Sequence, residues 1–219
     1  KPILNIATHD MLKFSNILFK SLKNKIVFIE VVRHPLYMLI QQTLNMENLL
    51  NNPRDIDVSY KYKNKIYPHF VKGWEDKFDK YNSTEKAIYY MYQASKTNNK
   101  VRSKIKSKKN YLVIPFENFV LSPEKYLKQI TKTLKTNYSI HTKSVLKKNK
   151  IPRPKVADSI QLEVYKKYGL IKPVSGFSER DELELRRNFA VKRSVSKDIL
   201  KLLDKISLDY EKNFWPEVL

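Results

Sequence analysis

The stretch from Val27 to Gln42, VFIEVVRHPLYMLIQQ, constrains the fold more than any other part of the chain. Its first half is dense in β-branched residues, as in a strand buried on both faces of a parallel sheet. Its continuation from Leu36 to Leu50 places Leu36, Leu39, Ile40, Leu44 and Leu49 at helical spacing. Between the two stand Arg33, His34 and Pro35. A strand that only crosses a core has no use for such an ending. A strand that stops at the ligand edge of a sheet does, because open parallel sheets bind beyond the carboxyl ends of their strands.

Other segments repeat the alternation. Ile3 to Ala7 is expected as a short strand, followed by a helix over DMLKFSNILFKSLK. NNPRDIDVSYKYKNKIYPHF is polar, aromatic and punctuated by proline, and reads as a loop or irregular insertion. Helices are expected from Phe70 to Tyr81 and from Ser83 to about Ser107, and a third strand at Tyr111 to Phe116. The strongest helix start has Ser122 as N-cap and Pro123 in the first helical position. Asn137 to Lys155 is basic and poorly periodic. Three closing helices are expected at Ser159 to Tyr168, Ser178 to about Lys192, and Ser194 or Ser196 to Phe214. This order predicts the α/β class, a central parallel sheet with helices on both faces, folded as one domain over residues 1–219. Parallel strands would bring ATHD, RHP and PFENF to one rim.

The charge narrows the partners. Lys and Arg number 43 against 22 Asp and Glu, a net charge of +21 that favours polyanions: nucleic acid, acidic glycans, phosphorylated cofactors or anionic lipid. Lys, Asn, Ile and Tyr are abundant together, as an AT-rich coding sequence dictates, so most lysines are expected to be solvated surface. The chain has no cysteine, which excludes disulfides and thiolate metal sites and fits a reducing, cytoplasmic setting. Its apolar runs are of strand length, far short of the ~20 residues of a membrane helix. His9, His34, His69 and His141 are scattered and suggest no metal site. The chain opens on KPILNIATHD with neither an initiator methionine nor a signal-peptide pattern, so a further strand and loop are expected upstream.

Three positions could carry chemistry. Arg33 ends a strand where a helix begins, so its planar fork and the helix N-terminus both suit phosphate; pairing with a carboxylate such as Glu30 is the alternative. His9 stands in a strand-to-helix turn, where an imidazole serves either as a proton acceptor or as a hydrogen-bonded structural group. Thr8 and Asp10 are ordinary helix-capping residues. In LKKNKIPRPK, Arg153 lies between two prolines, which stiffen the loop and lower the entropic cost of presenting a guanidinium to an anion. RRNFAVKR, from Arg186 to Arg193, competes with it, although basic residues on helices are more often surface.

IATHDM, KIVFIEVVRHPLYMLIQQ and YLVIPFENFVLSPEKYLKQITKTL resemble, in this order, three landmarks of the sulfotransferases that use 3′-phosphoadenosine 5′-phosphosulfate. That family shows Lys-Thr-His after an early strand, then a strand ending in Val-Arg-x-Pro before a helix that carries a serine. A later strand ends in Tyr-Glu-Asp and leads to a proline-initiated helix. The resemblance implies a P-loop-kinase-like fold and a transferase. Carried onto this chain, it makes His9 the base for the acceptor hydroxyl and Arg33 the ligand of the cofactor's 3′-phosphate. It sets Gln41 where the family's serine touches that phosphate, Phe116 in place of the tyrosine beside adenine, and Arg153 in the late basic loop. Ala7 stands where the family has lysine, and the family's glycine- and serine-rich 5′-phosphosulfate loop has no counterpart among Gly73, Gly169 and Gly176.

The expected activity is therefore sulfuryl transfer from 3′-phosphoadenosine 5′-phosphosulfate to a hydroxyl or amine of an acceptor such as a carbohydrate, with no metal. Two rivals stand beside it. One is the same fold without turnover, holding a glycan or nucleotide, for which Ala7, Gln41 and the missing loop speak. The other is a nucleic-acid-binding module, supported by the charge and the tyrosines but by no recognisable motif.

Overall fold

The computed structural model describes residues 4–7, 11–51, 58–158 and 178–219. A single 3-10 turn, Met11–Phe14, leads into helix α1 (Ser15–Leu22), which stops at Lys23 with a positive φ of 50°. Strand β1 (Phe28–Val32) follows, and His34 and Pro35 turn the chain directly into α2 (Pro35–Asn51). After β2 (Ser59–Tyr62) and β3 (Lys65–Pro68) come α3 (Glu75–Lys80) and the long α4 (Ser83–Ile105). Strand β4 (Tyr111–Pro115) runs without a break into α5 (Phe116–Leu121), then α6 (Pro123–Leu134) and α7 (Ile140–Lys148). Helices α8 (Glu179–Lys192) and α9 (Lys197–Phe214) close the described chain.

The fold is mixed α/β and mostly helical. Among the described residues its parallel sheet has two strands, β1 and β4, in a register that runs from Phe28 opposite Tyr111 to Val32 opposite Pro115. Leu39 and Ile40 of α2, Ala87 and Ile88 of α4 and Leu203 of α9 are fully buried and knit these helices into the main core, with Leu183 and Ala190 of α8 beside them. A smaller cluster of Leu12, Phe19, Ile105 and Tyr111 seals the other end of β4. No helix among the described residues is long and apolar enough to cross a membrane.

Most expected helices form, and their ends have local causes. Asn82 accepts from the N–H groups of Thr84 and Glu85, while Glu85 reaches back to the Asn82 N–H, a capping box that starts α4. Ser178 and Asp181 do the same for α8. Pro123 opens α6 as expected, but the Ser122 side chain makes no capping bond; its backbone N–H donates to Asn118 O and ends α5.

Three expectations are corrected. Residues 4–7 form no strand: the parallel ladder is confined to β1 and β4, and Leu4 and Ile6 stand 85% and 72% exposed. The segment read as an irregular insertion contains the antiparallel hairpin β2–β3, closed by Lys63 and Asn64 with φ of 44° and 64°. Two positive φ values in a two-residue turn match the right-handed twist of the flanking strands. The basic stretch after Asn137 contains α7, whose start Ser139 and Thr142 cap reciprocally. The helix expected at Ser159 to Tyr168 lies outside the described residues.

Candidate functional site

The turn from β1 into α2 shows what His34 and Pro35 do. Pro35 fills the first helical position, where a missing N–H costs nothing. His34 caps the helix with its ring: Nδ1 accepts from the Leu36 N–H at 3.1 Å. That fixes the tautomer, so Nε2 carries the proton and donates to Glu211 Oε1 of α9 at 3.1 Å. The His34 N–H donates to Glu117 Oε1 at 3.0 Å, and the Tyr210 hydroxyl donates to the other oxygen of Glu117. His34 and Glu117 are fully buried. Burial, then the Glu117 charge, pushes the Tyr210 hydroxyl strongly upward and keeps it a donor. Of the three residues that end the strand, His34 and Pro35 turn the chain and fix the scaffold, and Arg33 lies at the rim against Phe116.

The register places Arg33 beside Phe116. Val32 is paired with Pro115, so the next residue of each strand begins the rim. The Arg33 guanidinium carbon lies 4.7 Å from the centre of the Phe116 ring, and that of Arg153 lies 6.0 Å from the same ring. Arg33 is also 6.0 Å from the Tyr37 ring, over which Arg186 lies at 4.4 Å. The result is a row in which three guanidinium groups alternate with two aromatic rings, each step within cation–π range.

Each member is held from behind. Tyr37 is 2% exposed and its hydroxyl donates to Glu179 Oε2 at 3.1 Å; burial drives that hydroxyl well above the usual tyrosine range. Arg186 donates from Nε to Glu182 Oε1 at 2.8 Å, and burial raises the Glu182 carboxyl against the effect of that arginine. The Arg153 loop is strapped down at two points. Its own N–H donates to Val120 O at 2.8 Å, and the Val156 N–H donates to Glu179 Oε1 at 2.8 Å.

The electrostatics point to an anion. Burial, and then the neighbouring Arg33 charge, hold the Arg153 guanidinium below its usual range. Its side-chain bonds go to the Val156 and Asn149 carbonyls at 3.3 and 3.4 Å, and it pairs with no carboxylate among the described residues. Two like charges brought together on one ring, where the charge of Asp158 only partly offsets burial and repulsion at Arg153, gain from a phosphate or sulfate placed between them.

Of the residues singled out from the sequence, Arg33, Phe116 and Arg153 meet. Gln41 lies one turn beyond Tyr37 on α2, exposed, its amide donating to Asn45 Oδ1 at 3.1 Å. His9, with Thr8 and Asp10, lies outside the described residues. Tyr37 was not singled out, although its place four residues after Arg33 at a helix start was a usable signal. Arg186, in the basic stretch that competes with Arg153, joins the row instead of replacing it, tethered to Glu182 one turn away. No group of His, Asp and Glu among the described residues could hold a metal ion. No protein-family model, no curated protein and no solved structure matches the chain.

Proposed function

We propose that the chain is a sulfotransferase-like enzyme that moves a sulfuryl group from 3′-phosphoadenosine 5′-phosphosulfate to a hydroxyl or amine, with a carbohydrate among the fitting acceptors. The observation that carries this reading is the meeting of Arg33 and Arg153 on the Phe116 ring. These residues come from three distant parts of the sequence, and the family resemblance assigns all three to one nucleotide. The reading takes β1 and β4 as two strands of a central parallel sheet covered by helices on both faces.

In this scheme Arg33 and Arg153 hold the 3′-phosphate and Phe116 lies against the adenine. Gln41, one turn further along α2, offers an amide N–H to the same phosphate. His9 takes the proton as the acceptor oxygen or nitrogen bonds to sulfur. The bond from sulfur to the 5′-phosphate oxygen breaks in line, and the nucleotide leaves with that electron pair. The second reading is a nucleotide-binding protein without turnover. Ala7 at the lysine position and Gln41 at the serine position favour it.

Calorimetry with 3′-phosphoadenosine 5′-phosphate and with 5′-AMP tests the proposal. Arg33→Ala should weaken the first by ~2–5 kcal/mol and the second far less, since only the first carries a 3′-phosphate. Equal weakening of both would make Arg33 structural and remove the assignment. Transfer assays then separate the two readings: His9→Ala should keep nucleotide affinity and lose ~10²–10⁴ in rate. Full transfer by a folded His9→Ala protein would end the base assignment.

A further inference from the structure

A second concavity lies away from the arginine row. It is a groove of about 650 Å³ over the amino-terminal half of β4, between the last turns of α4, the second half of α6 and the end of α9. Its volume falls in the range of small-molecule sites, ~300–1,000 Å³. Its floor is apolar: Leu112 and Val113 of β4, both partly exposed, and the ring of Phe214. Its walls are cationic, and no carboxylate lines it among the described residues.

The cations differ in what they have left to give. Arg102 is committed: Nε and Nη2 donate to the two oxygens of Glu30 at 3.1 and 2.6 Å, and its guanidinium lies 5.2 Å from the Phe214 ring centre. Lys106, the C-cap of α4, and Lys132, on α6, make no ion pair with any described residue. Gln129 shares the face of Lys132 and adds an amide with no described side-chain bond. The groove thus joins two ammonium groups and an amide to a strip of strand and aromatic surface. It is wet on the sides and apolar beneath.

We propose that this groove binds a small organic anion, with its phosphate, sulfate or carboxylate head on Lys106 and Lys132 and a flat apolar body on Leu112, Val113 and Phe214. Each half of the site explains the other. Lysines alone would take any anion and release it readily at physiological salt. An apolar strip alone would give no preference for charge. Together they select an amphiphilic acid over inorganic phosphate and over a neutral ring compound. The site is distinct from the arginine row, because it sits at the opposite end of β4 from Phe116.

Amide chemical-shift titrations of the whole chain with 1-naphthyl phosphate, 1-naphthol and inorganic phosphate, at fixed ionic strength, test this. The first should shift the amides of Leu112, Val113 and Phe214 saturably, and the other two should bind there at least ~10-fold more weakly. Lys106→Gln/Lys132→Gln should weaken 1-naphthyl phosphate at those amides ~10-fold or more, while the spectrum shows the fold intact. Lys20→Gln/Lys205→Gln removes the same net charge elsewhere and should leave the affinity unchanged. No shifts at those three amides, equal binding of 1-naphthol, or equal weakening in the two double variants would each overturn the proposal.

Discussion

Arg153 answers to two opposed demands. Its guanidinium is partly buried beside Arg33, and burial and that like charge outweigh the opposing charge of Asp158, so without a ligand its charge is a cost to the fold; with an anion in place it becomes an asset. Arg153→Gln should therefore leave the ligand-free melting temperature unchanged or raised by no more than ~2 °C, a small effect for a chain of this size. The same substitution should remove most of the rise in melting temperature that millimolar sulfate or phosphate gives the wild type. A variant that melts lower without ligand but keeps the full response to anion would make Arg153 a structural strap. Arg33, Phe116 and Arg153 were legible in the sequence because a strand end and a proline-held loop are local signals. Tyr37, Arg186 and the cap made by the His34 ring were not. Local spacing offered signals for Tyr37 and Arg186, but the partners that hold Tyr37 and His34, Glu179 and Glu211, lie 142 and 177 residues further along, where no local spacing reaches.

At the scale of elements, the decisive joint is the one between β4 and α5. Pro115 ends the strand and Phe116 begins the helix, so the rim is only as fixed as that turn. Glu117 fixes it, accepting from the His34 N–H on one oxygen and the Tyr210 hydroxyl on the other, and thereby ties α5 to the β1–α2 turn and to α9. Tyr210→Phe leaves a fully buried carboxylate oxygen without its donor, which typically costs ~1–3 kcal/mol. The loss should appear as a lower urea midpoint with an unchanged slope. Tyr210→Phe/Glu117→Gln should cost less than the sum of the single changes, since both break one bond. Strict additivity would mean that the two side chains are not coupled. Long apolar periodicities made α2, α4 and α9 readable from sequence, and Pro123 marked α6. The β2–β3 hairpin was hidden because Lys63 and Asn64 lack the Asn-Gly signature of such turns. Residues 4–7 looked like a strand because composition reports apolar character, whereas a strand also needs a neighbour to pair with.

For the whole molecule, the excess of lysine and arginine is legible in the sequence, but which carboxylates hold the fold together at low pH is not. Glu211 is the informative one. It is 4% exposed, and burial alone would raise its carboxyl; the hydrogen bond from His34 and the Arg180 guanidinium at 3.4 Å outweigh that and bring it net below its ordinary value. A carboxylate that is more acidic in the folded than in the unfolded chain binds fewer protons when folded, so stability rises with pH through that window. Its contribution should be complete above about pH 4.5, the ordinary value, and disappear as the pH falls through the lower folded value. Glu75, Asp79 and Asp181 are also lowered but lie at the surface, where solvent screens them, so they add only a shallow common background. Glu182 runs the other way: raised by burial, it is more easily protonated in the folded chain and gains on acidification. Urea midpoints measured stepwise from neutral pH into acid should therefore give converging traces for wild type and Glu211→Gln. The variant starts less stable, and the gap closes once the pH passes below about 4.5. For Glu182→Gln the difference should move in the opposite sense, with wild type gaining on the variant as protons are added. A Glu211→Gln gap that stays constant into acid would mean that the proton-linked part of the His34–Glu211 contact is absent, leaving His34 as a cap alone.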